Sequence, residues 1–289
     1  MLDGFAEISS LLQQNSTVFI TLSVVFGLLV GSFLNVVIYR LPKMMEREWH
    51  NNCLELQGQE IPEQAPFTIS KPRSACPNCG HKITALENVP ILSWLFLRGK
   101  CSGCKTPISA RYPFVEALTG ALIGLVAYKY GYSATTFFAW IFVFALVALT
   151  FIDFDTQLLP DDITLPLLWL GLLFNLNGGL TDLKSAVIGA MAGYLILWGV
   201  YWLFKLVTGK EGMGYGDFKL LAAIGAWFGW KILPAVILLS ASLGTIIGVG
   251  LIILAKRGRE VPMPFGPFLA LGGIAALFFG QQLASYYIT

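Results

Sequence analysis

Long apolar runs separated by short polar turns dominate this chain. The first run, residues 18–39, already has the roughly 20 apolar positions that a bilayer core requires. Further runs follow at 113–131, 136–153, 163–178, 185–206, 217–231, 233–255 and 264–283. The run at 163–178 is short and contains Pro166, and only the Lys231–Pro234 turn separates the sixth and seventh. The pattern predicts an all-α polytopic membrane protein with about eight transmembrane helices. One long polar stretch interrupts it, which divides the chain into three parts: an N-terminal segment with the first helix (1–39), a polar module (40–112) and a transmembrane core (113–289). Gly27/Gly31, Gly120/Gly124, Gly189/Gly193 and Gly244/Gly248 are small residues four apart, a spacing expected to let helices pack backbone to backbone.

Composition agrees with this pattern. Of 289 residues, 56% are hydrophobic and 12% charged, with a mean hydropathy of +0.69, more apolar surface than a soluble domain could cover. The first apolar run is preceded by Asp3 and Glu7 and by no Lys or Arg, so it is expected to be a permanent helix and not a cleaved leader. Charge placement orients the bundle. Ten of the 19 Lys/Arg residues fall between Arg40 and Arg111; Lys210, Lys256, Arg257 and Arg259 fall on the same predicted side, against only Lys129, Lys184 and Lys231 on the other. Basic loops stay inside, so the 40–112 module is expected in the cytoplasm, with both termini across the membrane. Nothing in the pattern calls for a nucleic-acid partner, membrane lipid is the expected surroundings, and the oligomeric state is left open.

Two features carry chemistry. The polar module contains Cys76-Pro-Asn-Cys79 and Cys101-Ser-Gly-Cys104, separated by 21 residues. Two tight turns, each offering two thiolates, complete a tetrahedral zinc site, and a site closed by four thiolates is structural, not catalytic. Gly80 and Gly103 suit the turns. Stable disulfides are not expected in a reducing cytoplasm. Cys53 stands apart as a bystander, and His50 and His81 are alternative ligands that four cysteines make unnecessary.

The second feature is a pair of acids at membrane edges. Asp153 ends an apolar run, where the helix dipole disfavours negative charge, and Asp217 starts one behind the glycine-rich Gly214-Tyr-Gly216. Both fall on the predicted cytoplasmic side. Asp161 and Asp162 have a simpler explanation as caps or first-turn acids of the next helix, and Lys219 as a snorkelling interfacial lysine, with tuning of the acids as the alternative. With no Ser/His or Cys/His set in competition, two acids suggest aspartyl protease chemistry, in which a close pair shares one proton. From the helix ends, Asp217 is expected to be the ionised base and Asp153 the protonated acid. A proton-coupled transporter with a regulatory zinc loop is the main rival, because intramembrane acids often carry protons. Transporters more often place them near the midplane of repeated halves. A noncatalytic scaffold is a second rival, and it leaves the acids unexplained.

Taken together, the motifs resemble the bacterial type IV prepilin peptidases, a family of GxGD aspartyl proteases, in its tetracysteine form. The resemblance covers nearly the whole chain. It is carried by Gly31-Ser-Phe-Leu-Asn-Val-Val-Ile-Tyr-Arg-Leu-Pro42, both cysteine pairs, Ile108-Ser-Ala-Arg-Tyr-Pro113, Ile152-Asp153, Leu159-Pro-Asp161, Gly212-Met-Gly-Tyr-Gly-Asp-Phe-Lys219 and Pro264-Phe-Gly-Pro267. It implies an inner-membrane enzyme with Asp153 and Asp217 as its catalytic aspartates. Such an enzyme cleaves the basic leader from prepilins and type II secretion pseudopilins, then N-methylates the new N-terminal residue with S-adenosylmethionine. No glycine-rich strand-to-helix fingerprint marks a site for that cofactor. The 40–112 module is its natural place, with no residue assigned.

Overall fold

The computed structural model describes residues 9–254 and 263–285. Asp3, Glu7, Lys256, Arg257 and Arg259, used above, lie outside the described residues. The chain forms two compact units, 1–132 and 133–289. The first contains α1 (Ser16–Leu56), a 3₁₀ turn (Leu86–Asn88), α2 (Leu92–Phe96) and α3 (Arg111–Tyr130). The second contains α4 (Ala134–Thr156), α5 (Asp161–Leu176), α6 (Leu183–Thr208), α7 (Tyr215–Phe228), a 3₁₀ turn (Trp230–Ile232), α8 (Leu233–Leu254) and α9 (Gly266–Ser285). Among the described residues there is no strand, and each of the eight apolar runs coincides with a helix. Four segments are long and apolar enough by themselves to cross a membrane: Ser16–Leu56, Ala134–Thr156, Leu183–Thr208 and Trp230–Leu254. The protein is therefore an all-helical membrane protein.

Two helix ends differ from expectation. α1 does not stop near residue 39 but runs on to Leu56, 41 residues in all, so the polar module begins as a helix. The helix runs through Pro42 although an interior proline removes one backbone hydrogen bond and crowds the carbonyl one turn back, and residues 43–56 contain neither glycine nor proline to end it. α4 runs three residues past Asp153 and ends at Gln157, whose left-handed backbone (φ 56°) directs its N–H to the Asp153 carbonyl at 2.9 Å. Asp153 thus lies a turn inside its helix.

In the first unit α1 packs on α3. A Cβ on Gly27 would stand 2.9 Å from Gly120 Cα, and one on Gly31 would stand 2.9 Å from Glu116 Cα, so both positions require glycine for close approach. In the second unit α6 and α7 meet in the same way: a Cβ on Gly189 would lie 2.3 Å from the Gly225 carbonyl oxygen. Gly244 and Gly248 face the side chains of Phe268 and Met263 instead. α7 is apolar all round, and from Asp217 to Trp227 only Lys219 escapes burial, as befits a helix at the centre of a bundle. Trp227 is fully buried, donates its indole N–H to Leu167 O at 2.9 Å and lies against Gly171. Asn175, 2% exposed, donates to the carbonyls of Ala226 and Trp227 and accepts the N–H groups of Leu180 and Thr181. The C-terminal end of α7 is thereby tied to the loop after α5.

Candidate active site and metal centre

Both acids sit in the second unit, and α9 brings their surroundings together by packing on α4 and on α7. α7 starts at Tyr215 with Gly214 as its N-cap, which makes Asp217 the third helical residue. Its carboxylate accepts the Gly214 N–H at 3.3 Å, and its own N–H returns to Gly214 O at 3.2 Å. This reciprocal arrangement satisfies two groups that a helix start leaves unpaired. Gly216 is small for a different reason: a Cβ there would lie 2.7 Å from Leu159 Cβ. Asp217 is 7% exposed.

Asp153 is 4% exposed and accepts the N–H of Gly266 at 2.9 Å. Gly266 is the first residue of α9 and has no room for a side chain, since a Cβ would stand 2.6 Å from Asp153 Oδ2 and 3.0 Å from Leu159 Cδ2. Leu159 is therefore wedged between the glycine beside Asp217 and the glycine bonded to Asp153. One side chain, Leu159, thus borders both of the glycines that flank the two buried carboxylates. The helix-end argument for a base and an acid loses its asymmetry here. Asp153 sits near the end of α4, but it also receives the positive N-terminal end of α9, through a shorter bond than Asp217 receives from Gly214.

The remaining acids divide as their positions suggest. Asp161 and Asp162 lie in the first turn of α5. Asp161 accepts both of its bonds from Lys219 Nζ at 2.7 Å, so the lysine charge is committed there. Asp155 is exposed.

The four cysteines of the first unit converge, with their Sγ atoms all within 4.8 Å of one another. Cys76 and Cys104 are 3.7 Å apart, and Cys79 and Cys101 4.0 Å. Tetrahedral zinc with Zn–S bonds of about 2.3 Å demands S–S edges of about 3.8 Å, so this set fits a four-coordinate metal. The two knuckles repeat one geometry: Cys76 N–H to His81 O and Cys101 N–H to Thr106 O, both at 2.9 Å, each beside an isolated antiparallel bridge. The left-handed residue four positions after the first cysteine is Gly80 (φ 72°) in one knuckle and Lys105 (φ 62°) in the other. Gly103 is not that turn residue; it is small because His81 Cβ and Cys79 Sγ lie 3.3 and 3.5 Å from where a Cβ would stand. The Thr106 hydroxyl, its backbone N–H and the Asn78 amide hold the Cys104 thiol down to about 5, whereas Cys79, despite its backbone bond at His81, is pushed up to about 11 by the Cys104 sulfur beside it, so the four thiols do not ionise alike.

Cys53 and His50 are exposed on the extension of α1, outside the cluster. His81 is not a ligand here; its Nε2 lies 3.1 Å from Glu87 and 3.0 Å from the Ser102 hydroxyl. Glu87 also accepts from Ser102 Oγ and from the N–H and hydroxyl of Thr84. Those bonds, Ser102 first, hold the Glu87 carboxyl down at about 2 and tie the two knuckles together.

Gly266 and Leu159 are marked in the sequence only as members of the motifs Pro264-Phe-Gly-Pro267 and Leu159-Pro-Asp161, because the contacts that define their roles come from far along the chain; Glu87 carries no local mark. Glu116 does carry one: it is the lone acid inside the 113–131 run, and the structure buries it to 7% exposure.

Family models match two segments, the bacterial peptidase A24 N-terminal domain over residues 25–130 and the type IV leader peptidase family over residues 140–249. Among curated proteins, the chain is 56% identical over 273 residues to a prepilin leader peptidase/N-methyltransferase of Aeromonas hydrophila, covering 94% of each chain. Proteins of the same name from Pseudomonas aeruginosa (51% over 278 residues, 96% of each chain) and Dichelobacter nodosus (52% over 288 residues, 97% of this chain and 98% of the other) are similarly alike. No solved structure matches. With relatives this similar over almost the full length of both chains, the protein belongs to the type IV leader peptidase family.

Proposed function

We propose that the protein is a prepilin leader peptidase and N-methyltransferase of the bacterial inner membrane, with Asp153 and Asp217 as its catalytic pair. The names of its relatives support the two activities and give no support to a transporter. The observation that carries the catalytic assignment is the burial of two carboxylates, each held by one glycine N–H at the start of a helix, with Leu159 against the glycines that flank them both. Two buried like charges cannot both ionise easily, so the pair holds one proton between them. The ionised member takes a proton from water as the water oxygen attacks the scissile carbonyl. The protonated member gives its proton to the carbonyl oxygen. As the diol collapses, the second carboxylate takes back a hydroxyl proton, the C–N bond breaks, and the proton taken from water goes to the leaving amine, which restores the singly protonated pair.

The basic 40–112 stretch supports a cytoplasmic zinc module, with both termini periplasmic. A basic leader would remain on that same face, at the level of the two aspartates, while the apolar helix of a prepilin or pseudopilin lies in lipid beside the 113–289 core. The compact unit holding both acids is narrower than that core and begins at residue 133. Zinc in the Cys76, Cys79, Cys101, Cys104 cage would fix the module; S-adenosylmethionine supplies the methyl group for the second reaction.

The test is cleavage of a purified prepilin in detergent. Asp153→Asn and Asp217→Asn should each abolish processing and keep the wild-type melting behaviour. Full cleavage by both variants would overturn the pair.

A further inference from the structure

The 40–112 module carries an apolar edge that faces outward. From Val89 to Leu97 the chain reads Val-Pro-Ile-Leu-Ser-Trp-Leu-Phe-Leu, with no charge, and Arg98 and Lys100 follow directly. On α2, Leu92, Leu95 and Phe96 stand three and four positions apart and share one face. All three are exposed, Phe96 to 85%. Leu86, in the 3₁₀ turn just before, is 83% exposed. The other face of α2 is turned inward: Trp94 donates its indole N–H to Ile108 O at 3.1 Å, and a Cβ on Gly99 would stand 2.9 Å from the Trp94 ring. A module surrounded by water would keep its leucines inside. An exposed apolar run of this kind marks contact with a protein or a membrane.

Depth decides between the two. The segment is pinned to α3 by Glu116, whose carboxylate accepts the Ile91 N–H at 2.7 Å. Glu116 lies level with Gly31, since a Cβ on Gly31 would stand 2.9 Å from Glu116 Cα. Asn35 donates to Tyr112 O at 3.1 Å, one turn closer to the module, which fixes the register of α1 and α3. From Gly31 to Arg40, the first charge after the apolar run, is nine residues of helix, so Glu116 sits roughly 13 Å inside that charge. A glutamate side chain spans only a few ångströms. Ile91 therefore stands near the level at which α1 exposes Leu29 and Phe33. The backbone is equipped for such a place, where water cannot serve stray polar groups. Ile91 has φ 59°, and its N–H is taken by Glu116; the N–H groups of Ser93, Leu95 and Leu97 go to the carbonyls of Val89, Ile91 and Ser93.

We infer that residues 86–97 form a membrane wedge, with Leu92, Leu95 and Phe96 set in the acyl edge of the adjoining leaflet and Arg98 and Lys100 at its anionic headgroups. The occupant of this face is lipid. An apolar face that ends in two exposed cations is the pattern of a segment lying in the interface of an anionic leaflet. A second copy of the chain or a substrate helix would match the apolar residues, but neither accounts for the depth or for the cations.

The test uses the wild-type protein, zinc content verified, with one chain per lipid nanodisc. The probe is a phosphatidylcholine carrying a diazirine in its acyl chain, in discs that also hold phosphatidylglycerol, and adducts are mapped by peptide mass spectrometry. Leu92, Leu95 and Phe96 should take up adducts within about threefold of Phe33 and at least about tenfold above Leu56, an exposed leucine at the end of α1. Hydroxyl-radical footprinting of the same discs should oxidise Leu56 and spare Phe96. Adducts and oxidation at Phe96 both equal to those at Leu56 would refute the wedge. Protection of Phe96 without lipid adducts would overturn it in favour of a protein neighbour. The adducts should persist when uncleaved prepilin is added to an Asp217→Asn protein; their loss would overturn the wedge in favour of a substrate groove.

Discussion

Gly266→Ala adds a single methyl group, and the structure says where it goes. The new Cβ would stand 2.6 Å from Asp153 Oδ2 and 3.0 and 3.1 Å from the two Leu159 methyl carbons. Real Cβ contacts do not reach 2.6 Å, so either the carboxylate swings away or α9 backs off and lengthens the 2.9 Å bond from Gly266 N–H. Forcing an extra methyl group into a packed site costs about 1–3 kcal/mol. Placed on the geometry of the proposed catalytic pair at about 1.4 kcal/mol per tenfold, that predicts a cleavage rate about 5- to 150-fold below wild type. The assay is the initial rate of prepilin cleavage at saturating substrate, with thermal melting in the same detergent to separate site damage from unfolding. Gly199→Ala is the control, a helix-interior glycine whose Cβ would meet nothing within 4 Å, and it should cleave at the wild-type rate. A Gly266→Ala enzyme that melts like wild type and cleaves at its full rate would refute the placement of Asp153 against the start of α9.

Other outcomes follow from the same contacts. Gly225→Ala would put a Cβ 2.2 Å from the Gly189 carbonyl oxygen; α6 and α7 must separate, and the melting temperature in detergent should fall with a loss of about 1–3 kcal/mol. Asn175→Ala leaves buried carbonyls at the end of α7 and two N–H groups of the loop after α5 without partners, at about 1–3 kcal/mol for each buried group left unsatisfied, readable as a lowered melting temperature. Cys76→Ser or Cys101→Ser should each reduce bound zinc from about one per chain to near zero by elemental analysis, with the 133–285 helices retained in the helical circular dichroism signal. Asp161→Asn breaks a part-exposed ion pair with Lys219 and should cost no more than about 1 kcal/mol, leaving cleavage within a few-fold of wild type; a complete loss would show that Lys219 acts on the proposed pair.

The sequence by itself determined the eight helices, because apolar runs of about 20 residues leave a chain in lipid no other way to satisfy its backbone. It also determined the metal cage, since two Cys-x-x-Cys turns constrain their own geometry over a few residues. It picked out Asp153 as an acid where a membrane helix has no ordinary use for one, and Asp217, which could also serve as a helix cap, as its counterpart behind a glycine-rich turn. Local signals run out where partners lie far apart in the chain. The continuation of α1 to Leu56 depends on Pro42 being tolerated in a packed helix, and the turn residue of the second knuckle is Lys105 because Gly103 is needed against His81 and Cys79. The helix-end rule gave the two aspartates opposite preferences, since it could see only the helix each one belongs to. Only the tertiary structure brought the start of α9, 113 positions along the chain, to Asp153. The field at a carboxylate is set by every dipole that reaches it, and most of those arrive by packing.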